Sequence, residues 1–231
     1  MKICVIGDVH GSNVWKEIID KEKERVDKFI FLGDYVDDRE GLTTPAMQLE
    51  NLQEIIEDYK PLYDIDLLVG NHDMQYIGLA RCDKHSQAIA TMVNDYLLEM
   101  IRKQMLKVVV HYDNYLFSHA GVSSEWLKRK RIKNLADINR EFVSSPFLID
   151  FVSEFDSDQS GDNIYQSPIW IRPDSLFQSA INGYHQVVGH TRLEEIGIIA
   201  QNNYRLIFTD TGLKQYLVID TNMEMEQIIN L

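Results

Sequence analysis

The stretch Lys2-Ile3-Cys4-Val5-Ile6-Gly7-Asp8-Val9-His10-Gly11 sets the pattern from which the fold of this 231-residue chain can be predicted. Its first five residues form a short, mainly apolar run that is typical of a β-strand buried on both faces. A glycine then allows a sharp turn, and an aspartate and a histidine follow, two residues apart. Because carboxylates and imidazoles are both metal ligands, the stretch predicts a strand whose carboxyl end carries metal-binding side chains.

Four further segments combine glycine with a carboxylate, amide or imidazole side chain, and most of them follow a predicted strand. They read Gly33-Asp34-Tyr35-Val36-Asp37, Gly70-Asn71-His72-Asp73, Ser118-His119-Ala120-Gly121 and Gly189-His190-Thr191. Any one of these residues alone is typical of a turn or a surface. Four of the seven histidines fall inside the glycine-flanked segments, however, and a structural explanation would need a separate coincidence for each. We therefore expect the segments to meet in one metal site.

The first half of the sequence alternates strands with helices. We predict strands over residues 2–6, 28–32 and 65–69, with helices that begin at Ser12 and at Thr44-Pro45. Connections of this kind are right-handed and produce a parallel sheet. Ligands of such sheets bind beyond the carboxyl ends of the strands, which is where the polar segments lie.

The second half predicts a long helix over residues 86–102 and a β-hairpin that turns at Tyr112-Asp113-Asn114. Four further strands are predicted, and we interpret them as a second, mostly antiparallel sheet. They cover residues 186–188, 196–200, 206–209 and 216–219. Residues 156–166 are interpreted as a loop, chiefly a surface insertion and alternatively a lid over the substrate. No repeat or linker divides the sequence, so we predict a single domain over residues 1–231.

Composition excludes several classes of protein. A formal charge of −13 and a pI near 4.9 argue against a nucleic-acid partner, because nucleic-acid binders present a basic face. The two cysteines, Cys4 and Cys82, lie far apart and have no metal-binding spacing, so we expect no disulfide framework. The first apolar run is too short for a signal peptide, and no later run is long enough to cross a bilayer. We therefore expect a soluble, cytoplasmic protein without a membrane partner.

The ligand types predict hydrolysis of a phosphate ester. Asp34 has two carboxylate oxygens and could bridge two cations, while Asn71 adds an uncharged oxygen. Two cations around one bound hydroxide would lower the pKa of the water and neutralise charge on the phosphoryl group. His72 directly follows a ligand and so points elsewhere. We predict that it donates a proton to the leaving alkoxide as general acid, and that Asp37 orients it.

These segments resemble the calcineurin-type metallophosphoesterase family. Their spelling (GDVHG, GDYVD, GNHD, SHAG and GHT, in that order between residues 1 and 191) is most similar to the phosphoprotein-phosphatase branch, including its small bacterial and phage serine/threonine phosphatases. The resemblance implies an α/β fold, a four-layer α/β/β/α sandwich with two mixed β-sheets. It also implies two divalent metal ions, manganese in the first place, with iron, zinc or magnesium as alternatives.

The resemblance assigns roles residue by residue. The first metal would be held by Asp8, His10 and Asp34. The second would be held by Asp34, Asn71, His119 and His190. His72 and Asp37 would form the acid pair.

Two departures from the family pattern matter, and neither changes a metal ligand. The branch usually reads GDYVDRG, but here Asp38 occupies the arginine position and the next residue is Arg39. The family's GNHE reads GNHD, with Asp73 in place of glutamate. Arg172, in Trp170-Ile171-Arg172-Pro173, resembles a W-x-R segment of small bacterial and phage members. We expect Arg39 and Arg172 to be the candidates for binding the phosphate, with a surface role as the alternative for Arg39.

The leading hypothesis is a metal-dependent phosphomonoesterase. Its substrates would be phosphoserine, phosphothreonine or phosphotyrosine in proteins, or a small phosphoester. The main alternative is a symmetrical hydrolase of dinucleoside polyphosphates such as diadenosine tetraphosphate, because such enzymes resemble this branch in the same motifs. A catalytically inactive scaffold is the further alternative, and it predicts missing ligands, whereas every ligand position is filled. The metal and the oligomeric state stay open.

Overall fold

The computed structural model describes residues 1–80, 82–155, 162–201 and 203–231. The predicted loop over residues 156–166 falls partly outside this range, since 156–161 are not described. Within the described ranges, no helix is both long and apolar enough to cross a membrane.

The first sheet contains the predicted parallel strands. Strands β1 (Lys2–Ile6), β2 (Lys28–Phe31), β3 (Ile65–Leu68) and β4 (Leu106–Lys107) run parallel and adjacent. Two C-terminal strands extend this sheet on the β1 side in antiparallel pairing: β10 (Gln215–Asp220) pairs with β1, and β11 (Met225–Asn230) pairs with β10. The sheet is therefore mixed, and its central strand β1 carries no charged residue beyond Lys2.

The second sheet has the order β5-β6-β7-β9-β8. Its strands are β5 (Val109–Tyr112), β6 (Tyr115–Ser118), β7 (His185–Val188), β8 (Gly197–Gln201) and β9 (Tyr204–Phe208). Only the two hairpins at its edges, β5–β6 and β8–β9, are antiparallel, whereas β6–β7 and β7–β9 are parallel.

The prediction of a mostly antiparallel second sheet is therefore wrong. The connection from β6 to β7 is long and helical, which permits a parallel crossover, and β8 pairs only with β9 at the sheet edge. The predicted strand over 216–219 is real, but it lies in the first sheet. A sequence of short strands separated by turns does not indicate which strands pair with each other.

Alternation along the strands explains the layers. Ile3 and Val5 point between the two sheets, where they pack with Phe117 and Val187 of the second sheet. Cys4 and Ile6 point outward into the cluster that contains the helices of the first half and the helices after β6. The outer face of β7 and β9 packs against Leu176 in a later helix. The arrangement is the predicted α/β/β/α sandwich of two mixed sheets.

Helices cover the outer faces. They are α1 (Val14–Glu22), α2 (Pro45–Glu54), α3 (Asn71–Met74), α4 (Ala90–Arg102), α5 (Ser124–Lys130), α6 (Leu135–Ser144) and α7 (Pro173–Ser179). Thr44 caps α2 as predicted, since its side chain accepts a hydrogen bond from the Met47 amide at 3.3 Å. The long helix predicted from residue 86 begins only at Ala90, because residues 83–89 form turns.

Candidate metal centre

Three parallel strands in each sheet end at a polar side chain, and these side chains meet at one edge of the sandwich. In the first sheet, Asp8, Asp34 and Asn71 follow β1, β2 and β3; in the second, His119, His190 and Asp210 follow β6, β7 and β9. The sequence did not predict that β6, β7 and β9 run parallel. This parallel arrangement brings His119 and His190 to the same edge as Asp8 and Asp34.

Two glycines make room for the carboxylates. A Cβ atom at Gly70 would clash with Asp34 Oδ1, and one at Gly189 would clash with Asp8 Oδ1. With the glycines in place, the Asp8 carboxylate accepts the His190 amide at 3.1 Å, which ties β1 to the loop after β7. The close approach explains why glycine precedes the ligand in both segments.

Asp34 lies at the middle of the centre. Its Oδ1 accepts the backbone amide of His72 at 2.9 Å. Its Oδ2 lies 3.4 Å from His10 Nε2 and 3.5 Å from His119 Nε2, and it has no hydrogen-bond partner among the described residues. This buried carboxylate oxygen between two imidazoles is compatible with the bridging role predicted for Asp34, which stays a prediction.

Asn71 joins the two late histidines. Its Oδ1 lies 2.9 Å from His119 Nε2 and 2.9 Å from His190 Nδ1. Its amide nitrogen donates to Cys82 Sγ at 3.0 Å, which directs the oxygen toward the imidazoles. His119 is fixed by its other nitrogen, which lies 2.8 Å from the Leu32 carbonyl oxygen.

The donor set fits a divalent metal. Ligand atoms of Asp8, Asp34 and His119 all lie within 4.8 Å of one another. In addition, three side-chain atoms of these predicted ligands are buried and have no hydrogen-bond partner among the described residues: His10 Nε2, Asp34 Oδ2 and His190 Nε2. Buried polar atoms without partners are costly, and a cation would satisfy them. The structure thus brings together all six predicted metal ligands.

Electrostatics keep the imidazoles ready to bind a metal. Burial lowers the pKa of His10 to about 4 and also lowers the pKa of His119 and His190. Near pH 7 these rings are therefore neutral and carry the lone pair that a metal needs. Burial, Asp210 and Asp34 raise the pKa of Asp8. Asp34 behaves in the opposite way: burial acts to raise its pKa, but its electrostatic interactions with the surrounding histidines and with Arg39 lower it.

His72 and Asp37 form the predicted pair beside the centre. His72 Nδ1 lies 3.1 Å from Asp37 Oδ2. The Tyr76 hydroxyl donates to Asp37 Oδ1 at 2.5 Å, and the Gln75 amide donates to Oδ2, so the carboxylate is fixed from both sides. Against the effect of burial, Asp34 and Asp37 raise the pKa of His72. The His72 ring also contacts the His10 ring edge to face, with centroids 5.0 Å apart.

The displaced arginine reaches the centre. Asp38, in the family's arginine position, accepts five hydrogen bonds from the loop over residues 40–43. This loop closes around Asp38 and lets Arg39 turn inward, where its Nη1 donates to Asp210 Oδ2 at 2.7 Å. The Arg39 Nη2 atom lies 3.7 Å from Asp8 Oδ2. Arg39 is therefore partly buried beside the centre, with 27% of its side chain exposed, and phosphate binding stays a prediction.

Arg172 lies at the start of α7. Its Nη1 donates to Thr191 Oγ1 at 3.2 Å, directly after the ligand His190. Burial and the nearby Arg39 charge lower its pKa. Trp170 packs edge to face against the His190 ring, with centroids 6.2 Å apart.

Sequence reasoning missed several contacts of the site. Asp210 had a signal, because Thr209-Asp210-Thr211-Gly212 repeats the pattern of strand, carboxylate and glycine. Cys82, Gln75 and Tyr76 had none, since they follow no strand and belong to no motif.

Beside Asp8 and His10 the structure also has a cavity of about 300 Å³, which Arg39, Arg192 and Gly212 line.

A buried set of carboxylates, an amide and imidazoles at the joint edge of two mixed sheets defines a metal-dependent hydrolase. Residues 1–208 match the model of the calcineurin-like phosphoesterases, and the chain belongs to that family. It is accordingly a phosphoester hydrolase of a family that uses divalent metals, which confirms the resemblance seen in the motifs.

Solved structures show the same fold. The cold-active protein-tyrosine phosphatase of the psychrophile Shewanella sp. has a TM-score of 0.64 at 18% identity, covering 99% of this chain and 80% of that chain. A metallophosphoesterase from Sphaerobacter thermophilus has a TM-score of 0.56 at 16% identity, with 100% and 88% covered. A comparison with curated proteins found no match. The similarity confirms the fold class, and the roles of individual site residues stay predictions.

Proposed function

We propose that this protein is a phosphomonoesterase that hydrolyses phosphoserine, phosphothreonine or phosphotyrosine in proteins. The observation that carries the proposal is the His72–Asp37 pair, with 3.1 Å between Nδ1 and Oδ2, held beside the buried metal ligands through the bond from the His72 amide to Asp34. An alkyl phosphate ester has a poor leaving group, so its hydrolysis needs a proton donor next to the charged centre. This geometry supplies one.

The six predicted ligands would hold two divalent ions, with Asp34 shared between them. Asp34 is suited to sharing because one oxygen is fixed by the His72 amide while the other faces two imidazoles. When bound, such ions lower the pKa of water and neutralise charge on the phosphoryl group. We propose manganese as the first choice of ion. Iron, zinc and magnesium are the alternatives, because mixed oxygen and imidazole ligands suit several divalent ions.

The chain's own residues then handle the leaving group. A new P–O bond forms to the oxygen of water while the P–O bond to the alcohol breaks. His72 Nε2 donates its proton to the departing oxygen, and Nδ1 stays bonded to Asp37, which orients the ring. Arg39 and Arg172 are proposed to bind the phosphoryl oxygens. The products are the free alcohol and hydrogen phosphate; one proton of the attacking water passes to solvent, and solvent reprotonates His72.

Hydrolysis of dinucleoside polyphosphates is the second candidate, and a specific observation favours it. The cavity of about 300 Å³ beside Asp8 contains two arginines, Arg39 and Arg192, and could accept a further phosphate group. An inactive scaffold is less well supported, because the structure retains every predicted ligand together with His72.

Phosphate release with manganese present tests the proposal. Three phosphopeptides, carrying phosphoserine, phosphothreonine or phosphotyrosine, are compared with diadenosine tetraphosphate at equal concentration. We expect a higher kcat/KM for at least one phosphopeptide than for the nucleotide. The Asp34→Asn variant, purified in parallel, controls for contaminating phosphatases. Preferential cleavage of the nucleotide would overturn the proposal.

A further inference from the structure

Tyr76 is a buried residue that contacts the acid pair from outside the sequence segments of the site. It lies in the short 3₁₀ helix Gln75–Ile77, directly after α3, and only 5% of it is exposed. Its hydroxyl donates to Asp37 Oδ1 at 2.5 Å, whereas His72 and Gln75 contact the other oxygen, Oδ2. Within the described ranges, Tyr76 is the only residue that donates to Oδ1.

The Tyr76 hydroxyl has a fixed direction. The backbone amide of Ser86 lies 2.9 Å from the hydroxyl oxygen, and an amide N–H can only donate. The oxygen therefore accepts from Ser86, and the hydroxyl proton points to Asp37. Burial and the bond to Asp37 raise the pKa of Tyr76, so the hydroxyl keeps this proton. The His85 ring stacks on the Tyr76 ring, with centroids 4.6 Å apart, and holds it in place.

The Gln75 side chain has a fixed direction for the same reason. Its Oε1 accepts the Cys82 amide at 3.0 Å, so its Nε2 end faces Asp37 and donates to Oδ2. A carboxylate can only accept, so the His72 Nδ1 that contacts the same oxygen carries a proton. Nε2 is then the His72 nitrogen that gives its proton to the leaving oxygen.

We propose that Tyr76 is a positioning residue for the proton transfer: by holding Asp37 Oδ1, it keeps Oδ2 against His72 Nδ1 and so directs Nε2 toward the leaving oxygen. The inference rests on the proposed function and adds a residue that acts only through Asp37 and His72. Rotation of a carboxylate about its last side-chain bond has broad energy minima. A bond at each oxygen therefore restricts Asp37 more than bonds at Oδ2 alone.

Tyr76→Phe removes the hydroxyl and keeps the ring that stacks on His85. With phenyl phosphate, whose phenolate is a strong base and needs a proton, we expect kcat to fall about 3- to 30-fold, which is part of the contribution of a positioned acid. With p-nitrophenyl phosphate the fall should be less than about twofold, since nitrophenolate leaves without a proton. KM should stay nearly the same for both substrates, because the predicted metal ligands and arginines are unchanged.

Steady-state kinetics on the two aryl phosphates with manganese present measure the ratio of the two kcat values. This ratio does not depend on how much of a variant is correctly folded. A double-mutant cycle with His72→Ala then tests whether Tyr76 acts through His72. Without the imidazole, Tyr76→Phe should leave the ratio unchanged. A further change in that background, or equal losses on both substrates in the single variant, would overturn the inference.

Tyr216→Phe is the matched control, because it also removes a buried hydroxyl that donates to a carboxylate, Glu22 Oε1 at 2.7 Å, away from the acid pair. It should keep the wild-type ratio, and a fall as large as in Tyr76→Phe would overturn the inference. Failure of the proposed function looks different: the wild-type protein would release no phosphate from phosphopeptides, while the aryl phosphates would still report the ratio. A wild-type protein that cleaves neither aryl phosphate would overturn both.

Discussion

The carboxylate of Asp73 accepts the backbone amide of Asp34 at 2.8 Å, and so fixes the loop that carries the central ligand of the metal centre. The same side chain accepts the Tyr35 amide at 2.7 Å and the Gly70 amide at 2.9 Å. Asp73 therefore joins the loops after β2 and β3, although it faces no substrate. Asp73, which stands where the family motif has glutamate, thus connects two loops that carry predicted metal ligands.

Replacing Asp73 with asparagine should destabilise the protein. The amide group would turn a donor toward at least one of the three backbone amides, and a buried donor without an acceptor costs about 1–3 kcal/mol. We expect a melting temperature several degrees lower, measured by differential scanning calorimetry. Asp20→Asn, at an exposed position on α1, is the control and should leave the melting temperature unchanged. Equal melting temperatures for wild type and Asp73→Asn would contradict this role.

Removing His72 should affect substrates according to their leaving groups. In His72→Ala we expect kcat for a phosphoserine peptide to fall by about 10²- to 10⁴-fold, because the alkoxide loses its proton donor. For p-nitrophenyl phosphate the loss should be much smaller, since nitrophenolate leaves without a proton. Steady-state kinetics on both substrates and calorimetric titration with manganese measure the effect. Equal losses on both substrates, or lost metal binding, would show that His72 has another role.

Cys82 is expected to orient the ligand Asn71. Its Sγ accepts the Asn71 side-chain amide at 3.0 Å, and in Cys82→Ala this acceptor is gone, so the amide can rotate its nitrogen toward the histidines. Loss of a group that orients a ligand typically weakens metal binding by about 10- to 100-fold. Manganese titration of Cys82→Ala and Cys82→Ser tests this. The serine variant keeps an acceptor and should bind more tightly than the alanine variant; the reverse order would refute the idea.

How far the sequence predicted this site depends on how local each signal is. Asp8, Asp34 and Asn71 were predictable because each directly follows a buried strand, and parallel strands place their carboxyl ends together. Asp210 followed the same rule and was still missed, since its strand was assigned to an antiparallel sheet. Strand pairing is set by contacts between residues distant in sequence, which a short apolar run does not encode.

The second kind of miss concerns side chains that approach the site from outside any motif. Cys82 reaches Asn71 from a segment outside the helices and strands, and Arg192 lines the cavity beside Gly212. Neither has a characteristic spacing. The displacement from Asp38 to Arg39 was visible in the sequence, but its consequence was not, because it depends on how the following loop folds around a carboxylate.

Metal binding should stabilise the folded protein through Asp34. Asp34 Oδ2, His10 Nε2 and His190 Nε2 have no hydrogen-bond partner among the described residues, and a bound cation would satisfy them. A ligand at about 100 times its Kd contributes about 2.7 kcal/mol. For a chain of this size we expect manganese to raise the melting temperature by about 5–10 °C. In Asp34→Asn this increase should largely disappear. Melting both proteins with a chelator separates a folding defect from lost binding; a full manganese effect in Asp34→Asn would exclude the shared-ligand role.

Acid should remove a stabilising contact far from the metal centre. Asp66 on β3 is buried and accepts Lys107 Nζ at 2.7 Å and the Tyr112 hydroxyl at 2.5 Å, so it connects the two sheets. Burial acts to raise its pKa, but these two hydrogen bonds and the nearby lysines lower it below the ordinary value of 3.8. A carboxyl whose pKa is lower in the folded state stabilises the protein above its unfolded pKa. The contribution is lost as the pH falls through the folded value.

Asp66→Asn tests this sign directly. At pH 7 we expect the free energy of unfolding to fall by about 1–3 kcal/mol, because the variant loses a charged acceptor of buried hydrogen bonds. Below about pH 4 the carboxyl becomes protonated in the unfolded chain, so the difference between the two proteins should shrink as the pH falls further, through the lower pKa of the folded state. Urea unfolding at both pH values measures it. Asp64→Asn, an exposed partner of Lys28, should cost less than about 1 kcal/mol at pH 7. If the difference in free energy of unfolding between wild type and Asp66→Asn stays the same in acid, the variant destabilises the fold through altered packing, and the charge of Asp66 is not the cause.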